Sequence, residues 1–230
     1  MPTNTEPQTA HRAPLTAEQV LRAAVQLADR DGIEAVTMRG LAREVGVEAM
    51  SLYHHVANKE AVLDGMVNEI VSEILGAVDE LDRPEDDWKA AMRAQILTAR
   101  RVLLQHPWAP AIIETRSNMT PSIIAYFETV LGTFRAGGFS WDLAHHAMHA
   151  LGSRALGFTQ ELFEPDEGGD AQAMEALAQM ADRLPNLVGM MREVAHDDPD
   201  STLGWCDDDA EFEFGLDLLL DGLERQNESA

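Results

Sequence analysis

Apolar residues recur at helical spacing along most of this 230-residue chain. The first set is Val20, Ala23, Ala24 and Leu27. These positions fall on one face of a helix with 3.6 residues per turn. Thr16 and Gln19 form the capping-box pattern that starts a helix, and Asp31-Gly32 ends it. We therefore predict a first helix from Thr16 to Asp31.

Two short helices are predicted next. Thr37 is a candidate N-cap for a helix from Met38 to Val45, whose apolar residues again lie at helical spacing. Gly46 follows, and glycine readily adopts the positive φ that a sharp turn needs. A third helix is predicted from Glu48 to His55. Two short helices joined by a glycine turn indicate a helix-turn-helix motif.

The rest of the chain also reads as helical, with Asn58 as the cap of a long fourth helix. The predicted helices run approximately from Lys59 to Val78, Pro84 to Gln105, Thr120 to Gly137, Ser140 to Phe163, Ala171 to Arg183, Asn186 to Ala195 and Asp209 to Gln226. Prolines and paired glycines separate them. We predict an all-α protein with a mobile arm (residues 1–14), a three-helix head (residues 15–62) and a larger helical body (residues 63–226).

The charge balance at first argues against a nucleic-acid partner. The chain holds 17 Lys and Arg against 40 Asp and Glu, a net charge of -23, and such a charge repels a polyanion. Residues 1–65 hold six basic and nine acidic residues, so about -20 lies on the rest of the chain. The excess acid is either ordinary surface solvation or a means of suppressing non-specific adhesion to DNA.

A reducing, cytoplasmic location is expected. The single cysteine, Cys206, cannot form an intramolecular disulfide, and no signal-peptide pattern opens the chain. The longest uncharged stretch considered, Val102 to Ile113, has twelve residues, whereas a spanning helix needs about 20. We therefore expect a soluble protein.

The third predicted helix divides into an inner and an outer face. Val47, Leu52 and Val56 would serve the core. The outer residues are Ala49, Met50, Ser51, Tyr53, His54 and His55. In a helix-turn-helix, outer residues of this helix meet the major groove, where apolar side chains contact thymine methyl groups and polar ones contact base edges or phosphates.

Three residues outside that helix are further candidates for DNA contacts. Thr37 and Lys59 stand at two helix starts, where backbone N–H groups and the helix dipole favour a phosphate. Arg39 is the candidate for a bidentate contact with guanine.

These residues carry a family resemblance. The run Thr37–Val47, followed by Ser51–Leu63, resembles the DNA-binding domain of the tetracycline-repressor (TetR) family, and its Leu-Tyr-x-His-Val-x-Asn-Lys portion is specific. The body resembles the C-terminal domain of the same family through Ala136–Ser140, Leu156–Phe158 and Phe212–Leu218.

The resemblance implies a homodimer that represses by occupying a palindromic operator and releases it when a small-molecule effector enters the body. It implies that Arg39 and the Ala49–Ser51 positions contact bases. It implies that Thr37, Tyr53, His55 and Lys59 hold the DNA backbone.

One position departs from the family's tetracycline-binding members. They carry a metal-binding histidine three residues before the position of Thr115, where this chain has Ile112. The departure argues against a magnesium-chelated tetracycline as the effector, and we expect no metal or cofactor.

Dimerisation is predicted through the Ser140–Phe163 and Asp209–Gln226 helices. The last helix has an apolar stripe of Phe212, Leu216, Leu219 and Leu223, widened by Leu218 and Leu220. Small residues of the other helix permit close approach, so the two could form an intersubunit four-helix bundle. Alternatively, both stripes pack inside one subunit.

The effector site is the least constrained feature. Its candidates are Trp88, Met92, Trp108, Phe127, Trp141, His145, Met148 and His149. The aromatic residues and methionines could equally be plain core, and His145 and His149, four residues apart on one helical face, could be surface residues.

Two other classes of function compete with a regulator. The first is an all-helical metal-dependent enzyme that uses the histidines. The chain lacks a phosphate-binding Gly-rich loop, a His-Glu-x-x-His motif and a Gly-x-Ser-x-Gly motif, so we expect no enzyme. The second is a helical protein that has lost DNA binding, which the net acidic head would allow.

Overall fold

The computed structural model describes residues 15–82, 84, 86–157, 183–186, 189 and 208–229. Its helices are α1 (Ala17–Asp31), α2 (Met38–Val45), α3 (Ala49–Leu52), α4 (Lys59–Asp79), α5 (Trp88–Gln105), α6 (Ala109–Thr115), α7 (Pro121–Ala136), α8 (Trp141–Gly157) and α9 (Asp208–Glu228), with a short 3₁₀ turn at Ile33–Ala35. The all-α prediction is confirmed over these residues. The arm at 1–14, most of the helices predicted at 171–183 and 186–195, and the 158–163 end of another lie outside them.

Local signals placed the first helices correctly. The side chain of Thr16 accepts the N–H of Gln19 at 3.2 Å, and Gln19 accepts the N–H of Thr16 in return at 3.0 Å. Thr37 and Asn58 each accept a backbone N–H from the first turn of α2 and α4, at 3.0 and 2.8 Å. Gly46 adopts a φ of 72° at the end of α2. Each cap satisfies a donor that has no partner within its own helix.

Helix α3 is shorter than predicted. It ends at Leu52, and Tyr53 to His55 form a turn. The N–H of His55 bonds to the carbonyl of Leu52 at 2.8 Å, three residues back, and the N–H of Val56 bonds to the same carbonyl at 2.9 Å. The chain therefore forms a tight turn before Asn58, and the helix does not extend to His55.

Helix α6 was not predicted, because its prolines were interpreted as breaks. Pro110 occupies the first turn of α6, where a missing N–H costs nothing since that donor has no helical partner. The start of α5 was placed too early, at Pro84. Asp87 caps this helix instead, accepting the N–H of Ala90 at 2.9 Å.

One hydrophobic cluster unites the head with α4, the end of α5 and α6. Its fully buried members include Val20, Leu41, Leu52, Met66 and Ile70. Helix α4 also packs against α5 and α7. The boundary at residue 62, drawn from the sequence, falls within α4, so this helix passes from one region into the other without a break.

A second cluster joins α5, α7, α8 and α9 around Phe134, Phe139 and Phe212. Leu216 and Leu220 of α9 are also buried in it. Part of the stripe predicted to mediate dimerisation therefore packs inside the subunit, whereas Leu218 is exposed. The sequence could not separate the inward from the outward residues, because a core contact and a dimer contact both need an apolar face on the same helix.

Ion pairs reinforce the contact between α5 and α9. Lys89 pairs with Glu224 at 2.7 Å, Arg93 with Asp217 at 2.7 Å, and Arg100 with Asp209 at 3.0 Å. The residue numbers of the partners rise along α5 and fall along α9, so the two helices are antiparallel. The pairs also neutralise several of the body's carboxylates. No helix in the described ranges is long and apolar enough to cross a membrane.

Candidate nucleic-acid interface and internal cavities

Two glycines fix the geometry of the α2–turn–α3 unit. A Cβ on Gly40 would stand 2.6 Å from the carbonyl oxygen of Ala35, so α2 can approach the preceding 3₁₀ turn only with glycine there. Gly46 supplies the left-handed turn, and its N–H bonds back to α2. Leu52 is fully buried. These contacts hold α3 against α2 and leave its other face outward.

The predicted DNA-binding residues lie at the start of α2, on α3 and the turn that follows it, and at the first residue of α4. Thr37 and Arg39 lie at the start of α2, and Lys59 is the first residue of α4. Those that are exposed are Thr37, Arg39, Met50, Tyr53, His54 and Lys59, whereas Ala49, Ser51 and His55 are half-buried. Met50 is 76% exposed.

The cations of the head differ in whether they already form an ion pair within the protein. Arg30 makes two hydrogen bonds to Glu44, at 3.1 and 2.9 Å, and thereby ties α1 to α2. Its hydrogen bond and charge lower the pKa of Glu44. Arg39, Arg43 and Lys59 form no ion pair with the residues that the structure describes. Sequence reasoning missed Arg43, which is exposed one turn after Arg39; the spacing of four residues was the available signal.

Asp29 of α1 links the head to the α5–α6 junction. Its Oδ1 accepts the indole N–H of Trp108 at 2.7 Å and lies 2.7 Å from Nδ1 of His106. Nε2 of His106 stands 3.5 Å from Glu73 of α4. Trp108 is thus a structural contact of α1 and does not line either of the cavities described below.

A row of polar side chains follows one face of α4 at intervals of four residues. The row is Glu60, Asp64, Asn68 and Ser72. Arg116 donates to Glu60 at 2.5 Å, and Asn118 donates to Asp64 at 2.6 Å.

The row continues to the first turn of α7. The hydroxyls of Ser72 and Ser122 are 2.5 Å apart, and the N–H of Ser122 donates to Asn68 at 3.3 Å. Hydrogen bonds thus attach the α6–α7 connection and the start of α7 to α4, from the first turn of α4 to beyond its middle. Sequence reasoning missed this row, although its spacing is visible in the sequence.

An apolar cavity of about 190 Å³ lies among α4, α5, α6, α7 and α8. Met92, Phe127 and Met148, three of the predicted effector-binding residues, line it. Tyr126, which was not predicted, lines it too, and burial raises its pKa to about 12. Its hydroxyl has no hydrogen-bond partner within the described part of the chain.

A second cavity, which we call the polar cleft, has a volume of about 680 Å³ and lies between the α4–α5 connection, α5 and α7. Trp88, another predicted effector-binding residue, lines it together with Gln95, Thr129 and Thr133.

The other candidates line neither cavity. Trp141 is exposed, and the guanidinium of Arg135 lies 4.5 Å from the centre of its ring. His145 and His149 are exposed on α8 with ring centres 4.7 Å apart. All three face away from the packed side of α8, which carries Ala144 and Ala147.

Family models match both regions of the chain. The model described as bacterial regulatory proteins, tetR family, matches residues 20–66, and the model described as tetracyclin repressor-like, C-terminal domain, matches residues 82–227. The chain belongs to the TetR family. Regulators of the TetR family bind DNA and small-molecule ligands and act as dimers, and in general they are not enzymes.

Full-length similarity supports the same assignment. The chain is 28% identical to the transcriptional repressor DrrR1 of Streptomyces coeruleorubidus, over 99% of this chain and 86% of that protein. It is 30% identical to the class D tetracycline repressor protein of Escherichia coli, over 93% and 91%. Apo ActR of Streptomyces coelicolor superposes with a TM-score of 0.77 at 25% identity, covering 95% of this chain and all of that one. The chain is therefore a TetR-family, ligand-responsive repressor.

Proposed function

We propose that this TetR-family repressor reads its operator with Arg39 and residues 49–51, and holds the DNA backbone with Thr37, Tyr53, His54, His55 and Lys59. The observation that supports it best is the division of α3: Leu52 is buried against α2, while Met50 beside it is 76% exposed. Arg43, whose charge is also unpaired among the described residues, joins the phosphate contacts.

The charge distribution sets how this binding works. Because the head is slightly acidic overall, affinity rests on a few well-placed cations in each subunit of a homodimer rather than on a broad basic surface. The strongly acidic body discourages non-specific attachment. The operator is accordingly palindromic, and the repressor acts in the cytoplasm, where its DNA target lies.

Selection of bound duplexes from a random pool tests this proposal. We expect a palindrome whose half-site centres are one helical turn or a multiple apart, about 34 Å per turn. Its affinity should fall as salt rises, with a slope set by the few phosphate contacts. Failure to enrich any sequence would favour a helical protein that has lost DNA binding.

The apolar cavity is the proposed effector site. Small-molecule sites usually occupy about 300 to 1,000 Å³, so a drug-sized molecule must displace walls of a 190 Å³ cavity. Val71 and Ile74 of α4 are among those walls. Tyr126 stays neutral, since burial opposes its ionisation, and its hydroxyl is the polar group available to the effector. The proposed effector is a mainly apolar molecule with a hydrogen-bond acceptor.

We propose that the polar row on α4 transmits the effect of effector binding to the DNA-binding residues. Ile123 lines the cavity directly after Ser122, which contacts α4. At the other end of the row, Glu60 follows Lys59, a proposed phosphate contact. A shift of α4 caused by the effector would move the two recognition helices away from successive major grooves.

Reciprocal binding measurements test this coupling. Effector and operator should weaken each other's binding equally, by about 1 to 3 kcal/mol. The variant Arg116→Gln should reduce the coupling while leaving the affinity for either ligand alone nearly unchanged. Arg101→Gln on the exposed side of α5 is the matched control. Equal effector affinity with and without operator would refute the mechanism.

Dimerisation is proposed through the helices at 140–163 and 209–226. With Leu216 and Leu220 buried inside the subunit, the exposed apolar residues of α9 are Phe214 and Leu218, which are 63% and 56% exposed. They stand four residues apart and form one surface. The proposed body, 63–226, then carries both the dimer interface and the effector site.

A further inference from the structure

The polar cleft uses different faces of α5 and α7 from those that line the apolar cavity. On α5, Ala91 and Gln95 face the cleft, whereas Met92 and Ile96 face the apolar cavity. The two volumes therefore lie on separate sides of the contact between these helices. A molecule in one would not occupy the other.

Gln95 carries a buried acceptor that has no partner. The residue is 1% exposed, and its Nε2 donates to Oγ1 of Thr133 at 2.7 Å. The hydroxyl of Thr133 in turn donates to the carbonyl of Thr129 at 3.2 Å, which fixes the orientation of the Gln95 amide. Oε1 of Gln95 is left with no hydrogen bond within the described residues. A buried acceptor in this state indicates a missing donor.

The threonine hydroxyls and the carboxylate of the cleft are acceptors as well. The hydroxyl of Thr129 gives its proton to the carbonyl of Ala125 at 3.0 Å, so its oxygen can only accept. Asp82 adds a carboxylate at the edge. No Lys, Arg or His is among the described residues that line the cleft. Apart from the indole N–H of Trp88, the described side chains of the lining thus offer acceptors and negative charge to a ligand.

We propose that the polar cleft is a second small-molecule site, and that it binds a protonated amine attached to an aromatic or apolar body. An ammonium group supplies up to three donors and a positive charge, which match Oε1 of Gln95 and the carboxylate of Asp82. Trp88, Leu81 and Pro84 provide the apolar wall. A carboxylate or phosphate fits less well, because it would bring negative charge to Asp82 and leave Oε1 of Gln95 without a donor. This site is separate from the effector cavity proposed above.

Calorimetric titration of the full chain without DNA tests the proposal. Tryptamine is the probe, and indole-3-propionate is its counterpart with the same ring and a negative charge. We expect saturable binding of tryptamine and at least about tenfold weaker binding of indole-3-propionate. The measurement does not depend on repression, so its failure would leave the proposed DNA-binding function untouched. Equal binding of the two compounds, or no saturable binding of tryptamine, would overturn the proposal.

Four variants locate the bound amine. A Cβ on Gly132, which lines the cleft, would have no atom within 4 Å, so Gly132→Met fills the cleft without a backbone clash. Gln95→Met removes the unpaired acceptor at similar volume. Each should weaken tryptamine binding at least about tenfold.

Gly76→Met on α4 and Gly152→Met in the apolar cavity are matched controls, because both glycines also have open space around a Cβ. Both should leave tryptamine binding unchanged. Gln95→Met should melt no lower than the unaltered protein, since an unpartnered buried acceptor is lost. Tryptamine binding that survives Gly132→Met and Gln95→Met, or that is lost in Gly152→Met, would overturn the assignment.

Discussion

The indole N–H of Trp108 donates to the carboxylate of Asp29 over 2.7 Å and so joins the α5–α6 junction to the first helix. A hydrogen bond to a charged group contributes about 1.5 to 3 kcal/mol. Trp108→Phe should therefore lower the free energy of unfolding by about 1 to 3 kcal/mol, as measured by urea denaturation. Trp141→Phe is the control, because Trp141 is exposed, and its effect should stay within about 0.5 kcal/mol. Equal effects of the two changes would contradict a structural role for the Trp108 contact.

Gly40 should be irreplaceable for a steric reason. In Gly40→Ala the new Cβ would meet the Ala35 carbonyl oxygen at 2.6 Å, so the start of α2 must move, at a cost of about 1 to 3 kcal/mol. Gly76→Ala has open space and should instead stabilise α4 by about 0.5 to 1 kcal/mol. Thermal unfolding of both variants measures the difference. A neutral Gly40→Ala would contradict the close approach to Ala35, and a destabilised Gly76→Ala would contradict the open space beside α4.

Arg39 and Lys59 should respond differently to truncation. Arg39→Ala should cost about 1 to 3 kcal/mol on the operator and relax the base preference at one position. Lys59→Ala should weaken all sequences alike and reduce the salt slope by about one. Arg225→Ala, in the last turn of α9, removes a cation remote from α2 and controls for net charge. Interchangeable behaviour of the first two variants in shift assays would refute the division between base and backbone contacts.

Tyr126 should make the fold sensitive to alkaline pH. Its folded pKa, about 12, lies above the ordinary value of 10.0 because burial opposes ionisation. The neutral phenol therefore stabilises the folded state below pH 10, and this contribution is lost as the pH rises from about 10 to about 12. The chain has two tyrosines, so ultraviolet titration of Tyr53→Phe reports Tyr126 alone. Ionisation of Tyr126 near pH 10 in the folded protein would contradict the raised pKa.

Phe214 and Leu218 should hold the dimer together. Charged replacements, Phe214→Asp with Leu218→Glu, would place carboxylates in an apolar interface and should yield folded monomers in analytical ultracentrifugation. Leu104→Glu is the control, since Leu104 of α5 is comparably exposed, at 49%. A dimer that tolerates the α9 changes would mean that subunits meet elsewhere.

The sequence predicts best where structure depends on neighbouring residues. Thr16, Thr37, Gly46 and Asn58 were recognised because caps and turns act over three or four residues. The end of α3 at Leu52 was not, since helical propensity continues past the point where the chain must tighten.

The candidate site shows the same limit. The residues expected to contact DNA lie within one stretch of 23 residues and follow a family pattern, and six of the nine are exposed. Gln95 and Thr133 are 38 residues apart, and Asp29 and Trp108 are 79 apart. No local pattern pairs such residues, so the internal contacts needed three-dimensional structure. Trp141 was selected for residue type, and His145 for its spacing of four from His149; neither signal determines which face of α8 packs against the body.

The shared core of α1, α2 and α4 bears on how chimaeric repressors should be built from this chain. Exchange of residues 1–62 alone would separate Val20 and Leu41 from Met66 and Ile70, which belong to the same buried cluster. A transplant that retains α4 through Val78 keeps these four residues together and moves the junction to the α4–α5 connection, so that only the contacts of the cluster with α5 and α6 cross it. The portable unit for redirecting this repressor to another operator is therefore the DNA-reading domain together with its long connecting helix.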